Sequence, residues 1–80
     1  MNNTYNDLYW QGKPLRFTRH ALEELEESSK NADAVLEVLE KGTHVPESKE
    51  KTMARFAGRK NYEVVYIEYP DRIKIIHVRL

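Results

Sequence analysis

The sequence predicts one α+β domain: a short N-terminal strand, two helices, and an antiparallel three-stranded meander with the helices packed on one sheet face. Three observations lead to this fold class. A chain of 80 residues suits a single core, so residues 1–80 are expected to form one domain. Two amphipathic stripes with helical spacing lie before residue 42. Three runs typical of strands lie after residue 50.

Residues 1–14 show no clear periodicity and are expected to form a partly ordered lead-in. Its apolar side chains are expected to dock on the domain as a flap: Tyr5, Leu8, Tyr9 and Trp10. Gly12-Lys13-Pro14 is typical of a turn. Leu15-Arg16-Phe17 alternates apolar and polar residues, which indicates a short strand.

The first helix is predicted from Arg19 to Lys30, because Thr18 suits an N-cap and four residues share one side of the helix. These residues are Ala21, Leu22, Leu25 and Ser29. The opposite side carries four glutamates between residues 23 and 27. A solvated helix surface explains this acidic run.

The second helix is predicted to be capped by Asn31 or Asp33 and to reach Lys41. Its apolar stripe consists of Ala32, Val35, Leu36 and Leu39. Gly42 suits the left-handed residue that often closes a helix. The short join to the first helix predicts an antiparallel or sharply angled pair.

The C-terminal half predicts the sheet. A polar loop is expected over residues 43–50, followed by strands at 51–57, 62–69 and 73–80 with turns between them. Strict alternation in the last strand places four residues on one face: Ile73, Ile75, His77 and Arg79. Because that strand has apolar residues on both faces, it is expected to be central in the sheet.

Composition narrows the functional classes. The chain has no cysteine, so disulfides and thiolate chemistry are excluded, and a cytoplasmic location is the simplest expectation. No apolar run approaches the roughly 20 residues that span a bilayer, and no signal peptide precedes the domain, so a soluble protein is expected. No phosphate-binding glycine loop, GxSxG or HExxH motif is present. No cofactor and no metal site are predicted.

The net charge of zero conceals an uneven distribution. Residues 1–50 carry six Lys/Arg against ten Asp/Glu, and residues 51–80 carry seven against three, so the balances are −4 and +4. A basic C-terminal half can attract phosphates, although it can equally hold acidic helices against a basic sheet.

Two histidines are the candidate proton-transfer groups. His20 lies in the first turn of the first helix, and His77 lies in the last strand near Arg79. Imidazoles move protons near neutral pH, and the guanidinium groups of Arg55 and Arg79 suit a phosphate. A partly exposed histidine at a helix end and a packing histidine in a strand are the structural alternatives.

A second group of candidates suits nucleic-acid binding. Basic and aromatic residues surround the turn between the first two C-terminal strands: Arg59, Lys60, Tyr62 and Tyr66. Single-stranded RNA is bound by such mixtures, with cations on the backbone and rings stacked on bases. Tyrosines at period two are also ordinary sheet residues. A zinc site from all three histidines is set aside because they are distant in sequence, and His44 is assigned no role.

The run Phe17-Thr18-Arg19-His20-Ala21, followed by two helices, Gly42 and three strands, resembles a widespread family of small bacterial and archaeal domains of unknown function. Those domains begin with a Thr-x-His-Ala helix start and are grouped with RelE/ParE-type toxins, whose fold is shared with barnase-like and colicin-like ribonucleases. The resemblance covers about Leu15 to Leu80 and implies a RelE-like fold. The sequence departs from the family pattern at residues 23–27, where it has glutamates and the family often has arginines.

The resemblance implies a toxin-like domain that cleaves RNA or ribosome-bound mRNA without a metal ion, by attack of the 2′-hydroxyl. RNA, the ribosome and a protein partner such as an antitoxin would be its partners. Only His20 corresponds to the family motif. The alternative function is a non-catalytic protein–protein interaction domain, and a small-molecule binder is a third option.

Overall fold

The computed structural model describes residues 8–59 and 61–80. Two helices and six strands occur in these ranges, which confirms the α+β class. In chain order the elements are β1 (Tyr9–Trp10), β2 (Lys13–Phe17), α1 (Arg19–Glu27), α2 (Ala32–Lys41), β3 (Thr43–Pro46), β4 (Lys51–Phe56), β5 (Tyr62–Glu68) and β6 (Ile73–Arg79). A short 3-10 helix over Ala57–Arg59 joins β4 to β5.

The described strands form one mixed sheet in the order β1-β2-β6-β5-β4-β3. The predicted three-stranded meander therefore accounts for only three of the six described strands: β4, β5 and β6, which are consecutive antiparallel neighbours. The difference arises at both edges. Residues 43–46, expected in a loop, form β3 against β4, and β2 pairs with β6 in parallel.

The expected lead-in is part of the sheet from β1 onward. Trp10 pairs with Lys13 across a two-residue turn at Gln11 and Gly12, whose φ angles are 56° and 79°. Two consecutive positive φ angles make the tight turn that matches the twist of antiparallel strands. The turn thus precedes the predicted one at residues 12–14. Tyr5, the first residue of the proposed flap, lies outside the described residues.

The helix ends follow local hydrogen bonding. The side chains of Thr18 and Asn31 accept from the backbone N–H groups of Ala21 and Asp33, so each is an N-cap. Helix α1 ends at Glu27 rather than at the predicted Lys30. Ser29, two residues beyond this end, has a φ of 63°. A residue in the left-handed region commonly ends a helix in this way.

Gly42 closes α2, but not by the left-handed geometry that the sequence predicted. Its φ is −81°, and its N–H donates to the carbonyl of Val38. A Cβ at this position would lie 2.5 Å from the Val38 carbonyl oxygen and 2.8 Å from that of Arg55. Close backbone approach between α2 and β4 therefore requires the glycine.

The core lies between the helices and one face of the sheet. Five residues of the predicted stripes are buried there, with Val38 in addition: Ala21, Leu25, Ala32, Val35 and Leu39. Leu22 and Leu36 are half-buried, and Ser29 lies beyond α1 and is exposed. The sheet contributes Leu15, Ala54, Tyr62, Val64, Tyr66, Ile73, Ile75 and Val78. The opposite sheet face, called the open face below, carries the alternate residues of the strands.

A register shift divides β6 between the two faces. Val65 pairs with His77 and the next residue of β5, Tyr66, pairs with Ile75, so Ile76 has no partner in this register. The extra residue reverses the alternation. Ile73 and Ile75 therefore face the core, whereas His77 is exposed, and the expectation that they share a face is wrong.

Neither helix in the described part of the chain is long and apolar enough to span a membrane.

Candidate functional site

The start of α1 is anchored to β6, and this anchor determines where His20 lies. Thr18 caps the helix, and its backbone N–H donates to the carbonyl of Ile75 at 3.0 Å. The first turn of α1 therefore lies beside the second half of β6. Because His20 and Glu24 are four residues apart on the helix, both side chains lie on the same side of α1.

His20, Glu24 and His77 form one cluster, called the His–Glu–His cluster below. The imidazole centroids of His20 and His77 are 5.0 Å apart with perpendicular rings. Glu24 lies between them, with 3.2 Å from its Oε2 to His20 Nε2 and 3.7 Å from its Oε1 to His77 Nδ1. The histidine side chains are 58% and 50% exposed, so solvent and ligands reach both rings.

The Glu24 carboxylate is held in place by the backbone of β6. Parallel pairing with β2 covers β6 only at residues 73–75, so the strand has a free edge beyond that point. There the N–H of Val78 donates to Glu24 Oε1 at 2.8 Å. A backbone amide that β2 does not satisfy thus fixes the carboxylate between the two imidazoles.

A second charged group, called the Arg–Glu–Arg row, lies beside the cluster on the open face. Arg55, Glu63 and Arg79 are directly opposite one another on β4, β5 and β6. Arg55 donates to Glu63 Oε2 through Nε at 3.1 Å and Nη2 at 2.9 Å, whereas Arg79 Nη1 is 3.8 Å from Glu63 Oε1. Arg55 is therefore firmly paired, and Arg79 is 83% exposed and loosely held.

A cleft of about 280 Å³ connects the two groups. Its polar lining consists of Glu24, Glu47, Lys51, Glu63, His77 and Arg79, and its floor includes Met53 and Val65. In this lining Lys51 and Arg79 are the cations that can interact with anions, while the three carboxylates oppose them. With neutral histidines the lining carries three negative and two positive charges.

The predicted catalytic residues are thus brought close together, though not into one group. His20 contacts His77, and His77 and Arg79 line the cleft. Arg55 does not line it and reaches it only through Glu63. The sequence interpretation missed the central positions of Glu24 and Glu63. The i, i+4 spacing of His20 and Glu24 was the available signal for the first.

The predicted base-stacking residues lie elsewhere. Tyr62 and Tyr66 are 8% and 5% exposed and belong to the core, so their rings are not accessible to bases. This placement corrects the expectation of a stacking surface, and its cause is that both tyrosines point to the helix-covered face. Arg59 ends the 3-10 helix, but its side chain and all of Lys60 lie outside what the structure describes.

His44, to which no role was assigned, connects four elements. Its Nδ1 lies 2.8 Å from the Tyr66 hydroxyl, its Nε2 lies 2.8 Å from the Leu39 carbonyl, and its ring stacks on Trp10 at 5.1 Å. The carbonyl can only accept, so Nε2 carries the hydrogen and Nδ1 accepts from Tyr66. Burial, followed by the charge of Glu68, raises the pKa of Tyr66 above 10.0, while a Thr52 hydrogen bond opposes the shift.

No family model, curated protein or solved structure matches this chain. The candidate site is therefore defined by the geometry of the His–Glu–His cluster, the Arg–Glu–Arg row and the cleft.

Proposed function

We propose that this domain acts on RNA as a toxin-like ribonuclease that needs no metal ion. The observation that carries the proposal is the pair of exposed imidazoles, 5.0 Å apart, at a cleft lined by Arg79 and Lys51. Cleavage through the 2′-hydroxyl needs one group to remove a proton and another to supply one, and two neighbouring histidines suit both tasks.

In the proposed reaction His77, which lines the cleft, accepts the proton of the 2′-hydroxyl. The 2′-oxygen then bonds to phosphorus, the bond to the 5′-oxygen breaks, and protonated His20 donates a proton to that leaving oxygen. The products are a 2′,3′-cyclic phosphate and a 5′-hydroxyl. The Glu24 carboxylate, 3.2 Å from His20 Nε2 and 3.7 Å from His77 Nδ1, stabilises whichever imidazole is protonated.

Arg79 is the group that binds the phosphate in this proposal. Its 3.8 Å contact with Glu63 is weak, so the exposed guanidinium can turn toward an anion. Arg55 donates twice to Glu63 and has the more static role of positioning that carboxylate. On β2 and β6, Arg16 and Lys74 are paired on the open face and extend the positive surface for the RNA backbone.

The test is cleavage of a labelled single-stranded RNA, and of ribosome-bound mRNA, in the presence of EDTA. We expect His20→Ala and His77→Ala to lower the cleavage rate by about 10²- to 10⁴-fold each. Arg79→Ala should lower it as well, whereas Arg72→Ala, an exposed arginine that stacks on Tyr69 away from the cleft, should not.

All variants are purified identically, so that a contaminating nuclease would give the same rate in each. Equal, negligible cleavage by the wild type and the His20→Ala, His77→Ala double variant would eliminate the nuclease proposal.

A protein-binding function is the second candidate, and the β3 edge favours it. In the described sheet β3 has no strand on its outer side, and Val45 on this strand is exposed. A concavity of about 410 Å³ beside it includes Met53 and Phe56. A partner such as an antitoxin would add an extended segment to this edge.

Light scattering coupled to size exclusion, together with recovery of partners from lysate, compares the wild type with Val45→Lys. A partner that the wild type retains and the variant loses would favour this function. A monomer that recovers the same proteins in both forms would count against it.

A further inference from the structure

We infer that His20, Glu24 and His77 form a binding site for a divalent transition-metal ion, with Zn²⁺ the best-suited member of that class. One nitrogen of each histidine and one carboxylate oxygen of Glu24 lie within 4.8 Å of one another. Two imidazoles and one carboxylate are a donor set that Zn²⁺ uses in proteins, with the remaining position open to water. The all-histidine site set aside from the sequence differs, because His44 is engaged by Tyr66 and Leu39.

The present distances require only a small closure. Ligand atoms around a tetrahedral Zn²⁺ lie roughly 3.3 Å apart, given bonds of about 2.0–2.2 Å. Glu24 Oε2 is 3.2 Å from His20 Nε2, and the other carboxylate oxygen, Oε1, is 3.7 Å from His77 Nδ1. Rotation of exposed side chains supplies the rest of the movement.

Two further features favour a cation at this position. The Val78 N–H holds one oxygen of Glu24, and such outer hydrogen bonds orient ligating carboxylates in metal sites. The adjoining cleft adds the carboxylates of Glu47 and Glu63, so its lining is negative when the histidines are neutral. The ion would join α1 to the free edge of β6, where the Glu24 bond to Val78 and the contact between the His20 and His77 rings already link the two elements.

Metal binding has a consequence for activity that rests on the proposed function. An ion bound to one nitrogen of each ring leaves the other nitrogen as an N–H, so the metal-bound imidazoles cannot accept the proton that RNA cleavage requires. Zn²⁺ should therefore inhibit the ribonuclease, and removal of the ion should restore it. The binding itself does not depend on any enzymatic activity.

Calorimetric titration of ZnCl₂ into the metal-free full chain tests the site without RNA. We expect one ion per chain for the wild type. His20→Ala, His77→Ala and Glu24→Gln should each weaken binding by at least about tenfold, the lower end of the loss seen when even an outer partner is removed. Glu24→Gln keeps an oxygen that can accept from Val78, so the local fold is preserved. Glu23→Gln, the matched control on the exposed neighbour, should bind as the wild type does.

A second measurement uses the wild-type protein alone, so its result does not depend on whether the variants fold. It follows the NMR resonances of the imidazole groups during addition of ZnCl₂. Zn²⁺ should shift the resonances of His20 and His77 and leave those of His44 in place. Absence of binding by the wild type, equal affinity in the histidine variants, or shifts confined to His44 would each overturn the site.

RNA cleavage measured in EDTA and in excess ZnCl₂ completes the experiment. Failure to cleave in EDTA removes the proposed function and leaves the calorimetric result standing. Cleavage that continues at full rate in a chain shown to be loaded with Zn²⁺ would overturn inhibition by the ion.

Discussion

The two histidine sites of this domain differ in what occupies their ring nitrogens. At His44 both nitrogens are hydrogen-bonded at 2.8 Å, to the Tyr66 hydroxyl and the Leu39 carbonyl, and the ring is covered by Trp10. At His20 and His77 the rings are half exposed and share one carboxylate, that of Glu24.

The difference separates a histidine whose ring nitrogens are both hydrogen-bonded from two whose rings are accessible to solvent. The nitrogens of His44 are committed to fixed partners on α2 and β5, so proton transfer or metal binding there would break the packing between elements. The nitrogens of His20 and His77 face the Glu24 carboxylate and solvent. They can change partners without disturbing the core.

The largest expected effect on stability comes from His44→Ala. It leaves the Leu39 carbonyl without its partner and the Tyr66 O–H without its acceptor, while Tyr66 keeps the Thr52 hydrogen bond, and it removes the stack on Trp10. The free energy of unfolding should fall by about 2–4 kcal/mol, because each orphaned buried group costs about 1–3 kcal/mol. Urea unfolding followed by circular dichroism measures the change.

His77→Ala is the matched control for this contrast and should change the free energy of unfolding by less than about 0.5 kcal/mol. Similar losses in both variants would show that the exposed histidine is structural too, and the distinction between the sites would fail.

Glu24→Ala should have the next largest effect, since it tests the one structural bond inside the exposed cluster. The variant leaves the N–H of Val78 unpaired at the free edge of β6, which should cost about 1–3 kcal/mol. Glu23→Ala removes an exposed carboxylate from the same helix and should cost less than about 0.5 kcal/mol. Chemical denaturation of the two variants side by side decides the point; equal values would mean that the Val78 bond contributes nothing.

Tyr66→Phe tests the His44 site through the pH dependence of the free energy of unfolding, and it has the smallest expected effect. At neutral pH the variant loses the hydrogen bond to His44, at about 1 kcal/mol. Because burial raises the pKa of folded Tyr66 above the unfolded value of 10.0, its stabilising effect is complete below pH 10.0 and is lost as pH rises through the folded pKa. The wild type should therefore lose stability faster than the variant above pH 10.0.

Urea unfolding at several pH values between 8 and about 11.5 gives both curves. Parallel curves would show that Tyr66 titrates in the folded chain as it does in the unfolded one.

Local patterns in the sequence predicted much of the fold because they report the periodicity of single elements. Both helices, three C-terminal strands and the burial of the Leu25 and Leu39 stripes were recognisable from spacing alone. Strand β3 was missed because residues 43–46 are too few and too polar to show alternation; pairing with β4 makes them a strand. The role of Gly42 was misread for a similar reason, as the approach of Arg55 is a tertiary contact.

The site was harder to predict than the fold. His20 and His77 were recognisable as residue types, but the extra residue at Ile76 determines that His77 points away from Ile75. Strict alternation had placed both on one face, and no single-strand pattern reveals a register shift. The position of Glu24 depends on an unpaired amide at the end of a parallel ladder, which is a property of the assembled sheet.

The parallel pairing between β2 and β6 also affects how the chain folds and unfolds. Thr18 donates to the Ile76 carbonyl across 58 positions of sequence, so everything from α1 to β5 lies within one loop that this ladder closes. Closing so long a loop costs conformational entropy before the packing contacts that offset this cost have formed. The cost slows folding and makes it concerted. The imidazole pair exists only once that loop is shut. A partly unfolded chain therefore lacks the His–Glu–His cluster, and the time needed to fold sets the earliest moment at which the cluster is assembled.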